Sequence, residues 1–270
     1  MNIPEVKAML HIGHRGLKDI GPENTLGTFA RALADPRIHG IELDVHRVKD
    51  ESGTPYIVCF HDLRVGRLTG AKNRKIHKLS FETLRTYRIL GTDQKIPTLE
   101  EVLSLMQGSG MIINIELKGK HCEAEVARLI EHFVEHHGYS YYQFVVSSFF
   151  INRLVKFHKL CPEATIAPLR GQLRSPLKVG KLKKLWAFGK QQLVKHKLLR
   201  KISKEFELGN AKVFIHVHIE TVNIDLVKEA EALQIKIIAW GVRSDRHYRI
   251  AREMDLHGVI LDDPVHCPEQ

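Results

Sequence analysis

The segment Gly40-Ile41-Glu42-Leu43-Asp44-Val45 carries two carboxylates two residues apart inside an apolar run. Side chains alternate along a strand, so Glu42 and Asp44 share one face while Ile41, Leu43 and Val45 share the other. A third acid stands in "INIELKGK", where Asn114, Glu116 and Lys118 occupy one strand face. Carboxylates crowded onto apolar strands repel and are costly to desolvate unless a cation or a shared proton accompanies them. Oxygen donors without cysteine suit a hard divalent ion such as Mg2+ or Ca2+, which keeps positions open for substrate and water. The competing assignment is a set of surface strand residues in salt bridges.

Two histidines stand at comparable places. In "HIGHRGLKDIGPENT", His14, Arg15 and Gly16 follow the apolar Met9, Leu10 and Ile12, and the Gly21-Pro22 turn precedes a helix from Thr25. "IVCFHD" ends another apolar run on His61 and Asp62. Loops leading out of strands are where α/β proteins place their chemistry. Two imidazoles suffice for phosphodiester hydrolysis, one taking a proton from the nucleophile and the other protonating the leaving oxygen. Arg15 and Lys118 add fixed positive charge suited to a phosphate, or else neutralise the carboxylates. Asp62 either orients His61 or caps the following turn, and Glu23 either contacts the metal or substrate or is an ordinary first-turn helix acid.

These residues need elements to position them. Apolar runs predict strands at 10–13, 40–45, 56–60, 111–117, 143–147, 164–168, 212–217, 235–241 and 258–261. Helical periodicity predicts helices at 25–34, 98–107, 122–136, 149–159, 222–233 and 244–254, with Pro97-Thr98-Leu99-Glu100-Glu101 a capped start. Such alternation predicts a somewhat irregular (β/α)8 TIM barrel, one domain over 1–270, with one strand surplus. The stretch from Asp44 to Pro55 is too short for a crossover helix. Extended chain of that length covers about 30 Å, enough to run back and start the next strand parallel. His61 to Lys95 exceeds a normal connection and reads as an inserted small subdomain over 62–95.

"HRG", "PENT", "IELDV", "FHD", "IPTLEEVL", "IELK", "AWGV" and "GVILDDP" follow one another over nearly the whole chain. In that order they resemble the glycerophosphodiester phosphodiesterase family. The resemblance implies a (β/α)8 barrel that hydrolyses glycerophosphodiesters to glycerol 3-phosphate and an alcohol with one divalent cation. It also implies Glu42, Asp44 and Glu116 as metal ligands, His14 and His61 as acid and base, and Arg15 and Lys118 as phosphate contacts. Trp240 resembles the family's aromatic near the glycerol pocket, and is otherwise an ordinary core residue. The chain departs from the family at Trp240-Gly241-Val242-Arg243, commonly Trp-Thr-Val-Asn, and at "HGVILDDP", commonly ending Asp-Gly-Ile-Thr-Asp. Both departures are expected to border the pocket and to affect the preference for leaving group or glycerol, not the reaction.

A composition of 43% hydrophobic and 27% charged residues is globular. Nothing at the amino end reads as a signal peptide and no run suits a membrane span, so a cytoplasmic protein is expected, peripheral at most at the inner membrane surface. Cys59, Cys122, Cys161 and Cys267 lack metal-binding spacing and are expected as thiols. The net charge of +10 is concentrated, since 170–204 holds 12 Lys and Arg and no acid. Within 178–204, Val179, Leu182, Leu185, Trp186, Leu193, Leu198, Leu199 and Ile202 recur at a roughly helical period. That pattern fits an outer barrel helix, or a basic amphipathic helix in peripheral contact with anionic membrane. Contact of that kind would suit a lysophospholipase D acting on membrane lysophospholipids. A non-enzymatic barrel binding membrane or nucleic acid is the remaining alternative. Nucleic acid is not expected, because only Trp186 and Phe188 interleave with the basic residues.

Overall fold

The computed structural model describes residues 9–171, 199, 202, 204, 206 and 212–267. Its strands are β1 (Leu10–Gly13), β2 (Gly40–Lys49), β3 (Pro55–Cys59), β4 (Ile112–Leu117), β5 (Phe144–Ser148), β6 (Thr165–Arg170), β7 (Phe214–His218), β8 (Lys236–Val242) and β9 (Gly258–Leu261). All but β3 pair in parallel around a closed ring, β1-β2-β4-β5-β6-β7-β8-β9, and β9 returns to β1. The fold is an irregular (β/α)8 barrel, as the alternation of elements predicts.

The surplus strand is β3, and its direction corrects the expected parallel restart. It pairs antiparallel with the upper half of β2, Val45 opposite Cys59 and Lys49 opposite Pro55. The chain turns back directly because Asp50 Oδ1 accepts from Thr54 N at 2.8 Å and from Ser52 Oγ at 2.7 Å, while Gly53 takes φ +95°. An acceptor side chain followed by a glycine is what a tight reversal requires. Residues 40–45 of β2 therefore belong to the barrel, where Glu42 lies opposite Asn114 and Asp44 opposite Glu116, and 45–49 rise above it as a hairpin.

Alternation sorts the side chains. Ile41, Leu43, Val45, Ile113 and Ile115 face outward, buried against Phe29 of α1 (Leu26–Ala34) and Val102 and Leu103 of an 8-residue helix, Leu99–Met106. That second helix starts where the sequence predicts, with Thr98 and Glu101 capping each other's backbone N–H at 2.8 and 3.1 Å. The inward positions include an apolar patch of Ile12, Ile238 and Ile260 with Phe214 and Trp240 against it. The three acids are also among the buried residues.

Between β3 and Leu99 the chain makes two short helices, Gly66–Thr69 and Phe81–Thr86. They share with the hairpin an apolar cluster that includes Val48, Val58, Phe60, Val65, Ile76 and Leu84. The amphipathic segment expected over 178–204 lies outside the described residues except at 199, 202 and 204, where Leu199 and Ile202 are buried in the main core. All four cysteines are buried free thiols. Among the described residues no helix is long and apolar enough to cross a membrane.

Candidate active site at the barrel mouth

Parallel strands present their carboxyl ends at one mouth, and the acids sit just inside it. Glu42, Asp44 and Glu116 each offer an oxygen within 4.8 Å of the others. Glu42 and Glu116 are pushed upward by burial and then by the neighbouring carboxylates, Glu116 to about 7. Burial would raise Asp44 as well, but Lys118 and Arg15 outweigh it and hold this group low. Asn114 Oδ1, buried on the same strand face as Glu116, has no hydrogen-bond partner. Three hard oxygen donors that repel one another, with an unpartnered carbonyl oxygen on the same face, fit a divalent cation. The cluster is a plausible metal centre.

Arg15 reaches this cluster through a tight turn. Arg15, Gly16 and Leu17 take φ of +52°, +82° and +80° in succession, and a Cβ on Gly16 would meet Phe29 Cδ1 at 2.8 Å. A left-handed conformation costs a non-glycine residue about 1–2 kcal/mol. Here it lets the Arg15 N–H donate to Glu42 Oε2 at 3.0 Å and sets the guanidinium 3.4 Å from Asp44 Oδ2 and 2.9 Å from Glu23 Oε1. Lys118 Nζ lies 2.9 Å from Glu116 Oε1 and 3.3 Å from Asp44 Oδ1. Both cations thus touch the acids, the neutralising role that sequence allowed beside phosphate binding.

The histidines stand on either side, each tied at Nδ1 to a carboxylate. His61 comes down from the hairpin, where the Phe60 N–H donates to Asp44 O at 2.9 Å, and its Nδ1 lies 2.7 Å from Asp62 Oδ1. Asp62 in turn accepts from Arg67 at 2.6 and 3.0 Å, which holds it at about 2. His14 Nδ1 hydrogen-bonds Asp262 Oδ1, and its Nε2 lies 3.8 Å from Glu42 Oε2. Asp262 also takes Lys18 Nζ at 2.7 Å and Arg243 Nε at 3.0 Å. Each imidazole therefore keeps Nε2 free of its orienting carboxylate.

Glu23, His61 and Asp62 form a second cluster of donors. Arg67 already occupies it, donating to Glu23 at 2.7 and 3.1 Å as well as to Asp62, so a guanidinium does there what a cation would. Glu23 is thus an arginine partner outside the triad.

Sequence reasoning missed Asn24, Lys18, Arg67 and the part played by Asp262 and Arg243. Asn24 takes φ +55°, receives the Asp44 N–H at 3.2 Å and donates back to Asp44 Oδ2 at 3.0 Å. The signal was available in "PENT", since asparagine tolerates the left-handed region that a turn needs. Of the two segments that depart from the family, one supplies Arg243 and the other contains Asp262; Asp262 bonds His14 Nδ1, and Arg243 bonds Asp262. Gly241 has φ +76° at a bulge between β8 and β9, and a Cβ there would meet His218 Nε2 at 2.7 Å. His218 packs edge-on against Trp240 with centroids 4.6 Å apart, and Trp240 Nε1 donates to Arg170 O at 3.0 Å. Half-buried Trp240 meets Phe149 at 6.4 Å, and the two rings wall one side of the mouth.

A model of the glycerophosphoryl diester phosphodiesterase family matches residues 14–266. A glycerophosphodiester phosphodiesterase of Bacillus altitudinis is 37% identical over 170 residues, which are 58% of this chain and 64% of that protein. A lysophospholipase D of Homo sapiens is 29% identical over 139 residues, 47% of this chain and 42% of that one. The chain thus aligns with less than two thirds of the length of either relative. The structure of an Oleispira antarctica phosphodiesterase in complex with the product sn-glycerol-3-phosphate superposes at a TM-score of 0.73. Identity is 22%, over 94% of this chain and 93% of that chain, a likeness of fold. Matched along nearly all of its length, from His14 at the mouth to the turn that follows Asp262, this chain belongs to the glycerophosphoryl diester phosphodiesterase family.

Proposed function

We propose that this chain hydrolyses glycerophosphodiesters to sn-glycerol 3-phosphate and an alcohol. The observation that carries the reading is the pair of histidines, each tied at Nδ1 to a carboxylate, flanking a buried carboxylate triad. Glu42, Asp44 and Glu116 hold one divalent cation, Mg2+ or Ca2+. When bound, that cation withdraws charge from the phosphate oxygens. Arg15 and Lys118 bind the same phosphate, Arg15 as a two-pronged donor. His14 and His61 move the two protons, one from the attacking water or the substrate's own 2-hydroxyl, the other to the leaving oxygen. Trp240 offers its ring to the glycerol. Release of glycerol 3-phosphate from glycerophosphocholine and glycerophosphoethanolamine, with Mg2+, Ca2+ or chelator, tests the reading. Metal-dependent release that His14→Ala and Glu42→Ala both abolish is expected, and release by either variant at the wild-type rate overturns the assignment.

A second reading, a lysophospholipase D acting on membrane lysophospholipids, is favoured by exposed apolar side chains at the mouth, Leu63, Phe149 and Phe150. It predicts that a long acyl chain on the glycerol raises turnover. In that case the enzyme works from the cytoplasmic side, and the basic run at 178–204 adds peripheral contact with anionic membrane.

A further inference from the structure

The insertion carries charge that the chemistry at the mouth does not use. Between Leu63 and Phe81 the chain has six Lys and Arg and no acid. Arg67 is consumed by Glu23 and Asp62. The other five, Arg64, Lys72, Arg74, Lys75 and Lys78, are exposed, and none is ion-paired to another described residue. They are gathered by the backbone. Arg64 pairs with Lys75 across an antiparallel bridge, the Val65 N–H donates to Arg74 O at 3.1 Å and the Ile76 N–H to Leu63 O at 3.0 Å. Like charges held side by side without counter-charges raise the folding free energy, so such a patch is expected to meet an anionic partner.

Two features decide which anion. Leu63, next to Arg64, is 64% exposed, as an apolar interface wants, and residues 64–80 hold no Phe, Tyr or Trp to stack on a base, His77 being the one ring among them. The patch also borders an open groove of about 720 Å³ that runs from Leu63, Arg64 and Asn73 inward to His61 and Lys118. Lys118 Nζ, which lines the groove, lies 5.8 Å from the ring of Phe149, so the exposed Phe149 stands at the same mouth.

We propose that the bridged segments 63–65 and 74–76 of the insertion, with Lys72 and Lys78, are a docking surface for an anionic lipid bilayer. Docking there turns the groove toward the membrane and is independent of which phosphodiester is cleaved. The test is sedimentation of the full chain with phosphatidylcholine vesicles, with and without phosphatidylglycerol, against salt. Binding only to the anionic vesicles, weakening as salt rises, is expected. Each basic residue near such a surface contributes about 1 kcal/mol, so Lys72→Gln/Arg74→Gln/Lys75→Gln should bind on the order of 100-fold more weakly. These side chains are exposed and make no ion pair among the described residues, so circular dichroism and thermal midpoint should match wild type. Wild-type protein that ignores phosphatidylglycerol overturns the proposal. So does a triple variant that binds as wild type, which would assign binding to another surface such as 178–204. A triple-variant defect seen on RNA but not on vesicles would overturn it as well.

Discussion

Asp262→Asn tests whether the carboxylate behind His14 governs the proposed chemistry. Asp262 is 4% exposed and takes three donors, His14 Nδ1 on one oxygen and Lys18 Nζ and Arg243 Nε on the other. Burial would raise its pKa, but His14 and Lys18 outweigh that and keep it far below the usual carboxylate range. Asparagine has the same shape with one oxygen and one NH2. Placing the NH2 against Lys18 and Arg243 sets donors against donors, so the oxygen turns to the cations and the NH2 to His14. His14 must then accept at Nδ1 and carry its proton on Nε2, the nitrogen 3.8 Å from Glu42. A histidine in that tautomer is no base, and gaining a second proton beside an NH2 is disfavoured. A positioned acid or base is worth about 10²–10⁴-fold, so kcat should fall by about 10³. KM should hardly move, because Asp262 lies behind His14. Kinetics of glycerol 3-phosphate release at saturating cation, with a thermal midpoint to show folding, give the readout. A folded variant with wild-type kcat refutes the dependence of His14 on Asp262, and a raised KM at constant kcat assigns Asp262 to binding.

Other perturbations separate stability from chemistry. Glu116→Gln should have effects of opposite sign, raising the thermal midpoint of the metal-free protein by relieving repulsion on Glu42 while raising the cation concentration for half-activation by about tenfold or more. Melting in chelator measures the first and turnover against cation concentration the second, and a lower metal-free midpoint would contradict the repulsion argument. Gly16→Ala adds a Cβ 2.8 Å from Phe29 Cδ1 at φ +82°. Left-handed strain of about 1–2 kcal/mol plus overpacking of about 1–3 kcal/mol should appear as a lowered urea midpoint. His216, fully buried on β7 with neither ring nitrogen partnered, is lowered by burial to about 3. The unfolded chain therefore binds the proton first, so this contribution to stability is complete above the ordinary value of 6.5 and is lost as pH falls toward 3. The slope reaches about 1.4 kcal/mol per pH unit, and His216→Leu should flatten it in urea unfolding across that range.

The readable parts of this chain are those in which cause and effect lie close together in sequence. Alternation in Glu42-Leu43-Asp44 gives the shared face directly, and the Thr98/Glu101 capping box gives a helix start within one residue of the expected 98. The direction of β3 was also local, but it hung on turn chemistry. Asp50, Ser52 and Gly53 reverse the chain at once, whereas a length argument allowed a run back down the barrel.

What stayed hidden is pairing across the fold. His14 and Asp262 are 248 positions apart, and nothing in "LDDP" distinguishes an acid that orients a histidine from one that caps a turn, which Asp263 does for Val265. Arg67 sat unremarked in a basic run, yet it alone among those residues reaches two acids, because the helix Gly66–Thr69 places it over Glu23 and Asp62. Polar pairs of this kind leave no period in the sequence, since a loop residue has no face to repeat. They do leave a stoichiometric trace. Among the described residues, the ion pairs and charge contacts at the mouth join six acids, Glu23, Glu42, Asp44, Asp62, Glu116 and Asp262, to five cations, Arg15, Lys18, Arg67, Lys118 and Arg243. Any two acids this close need an intervening cation, so locating the triad already demands partners for its supporting carboxylates. Arg67 and Arg243 answer that demand for the acids behind the histidines, while Arg15 and Lys118 answer it for the triad. A bound divalent cation would take over the second pair's task, and on the proposed function that would leave Arg15 and Lys118 available to a phosphate.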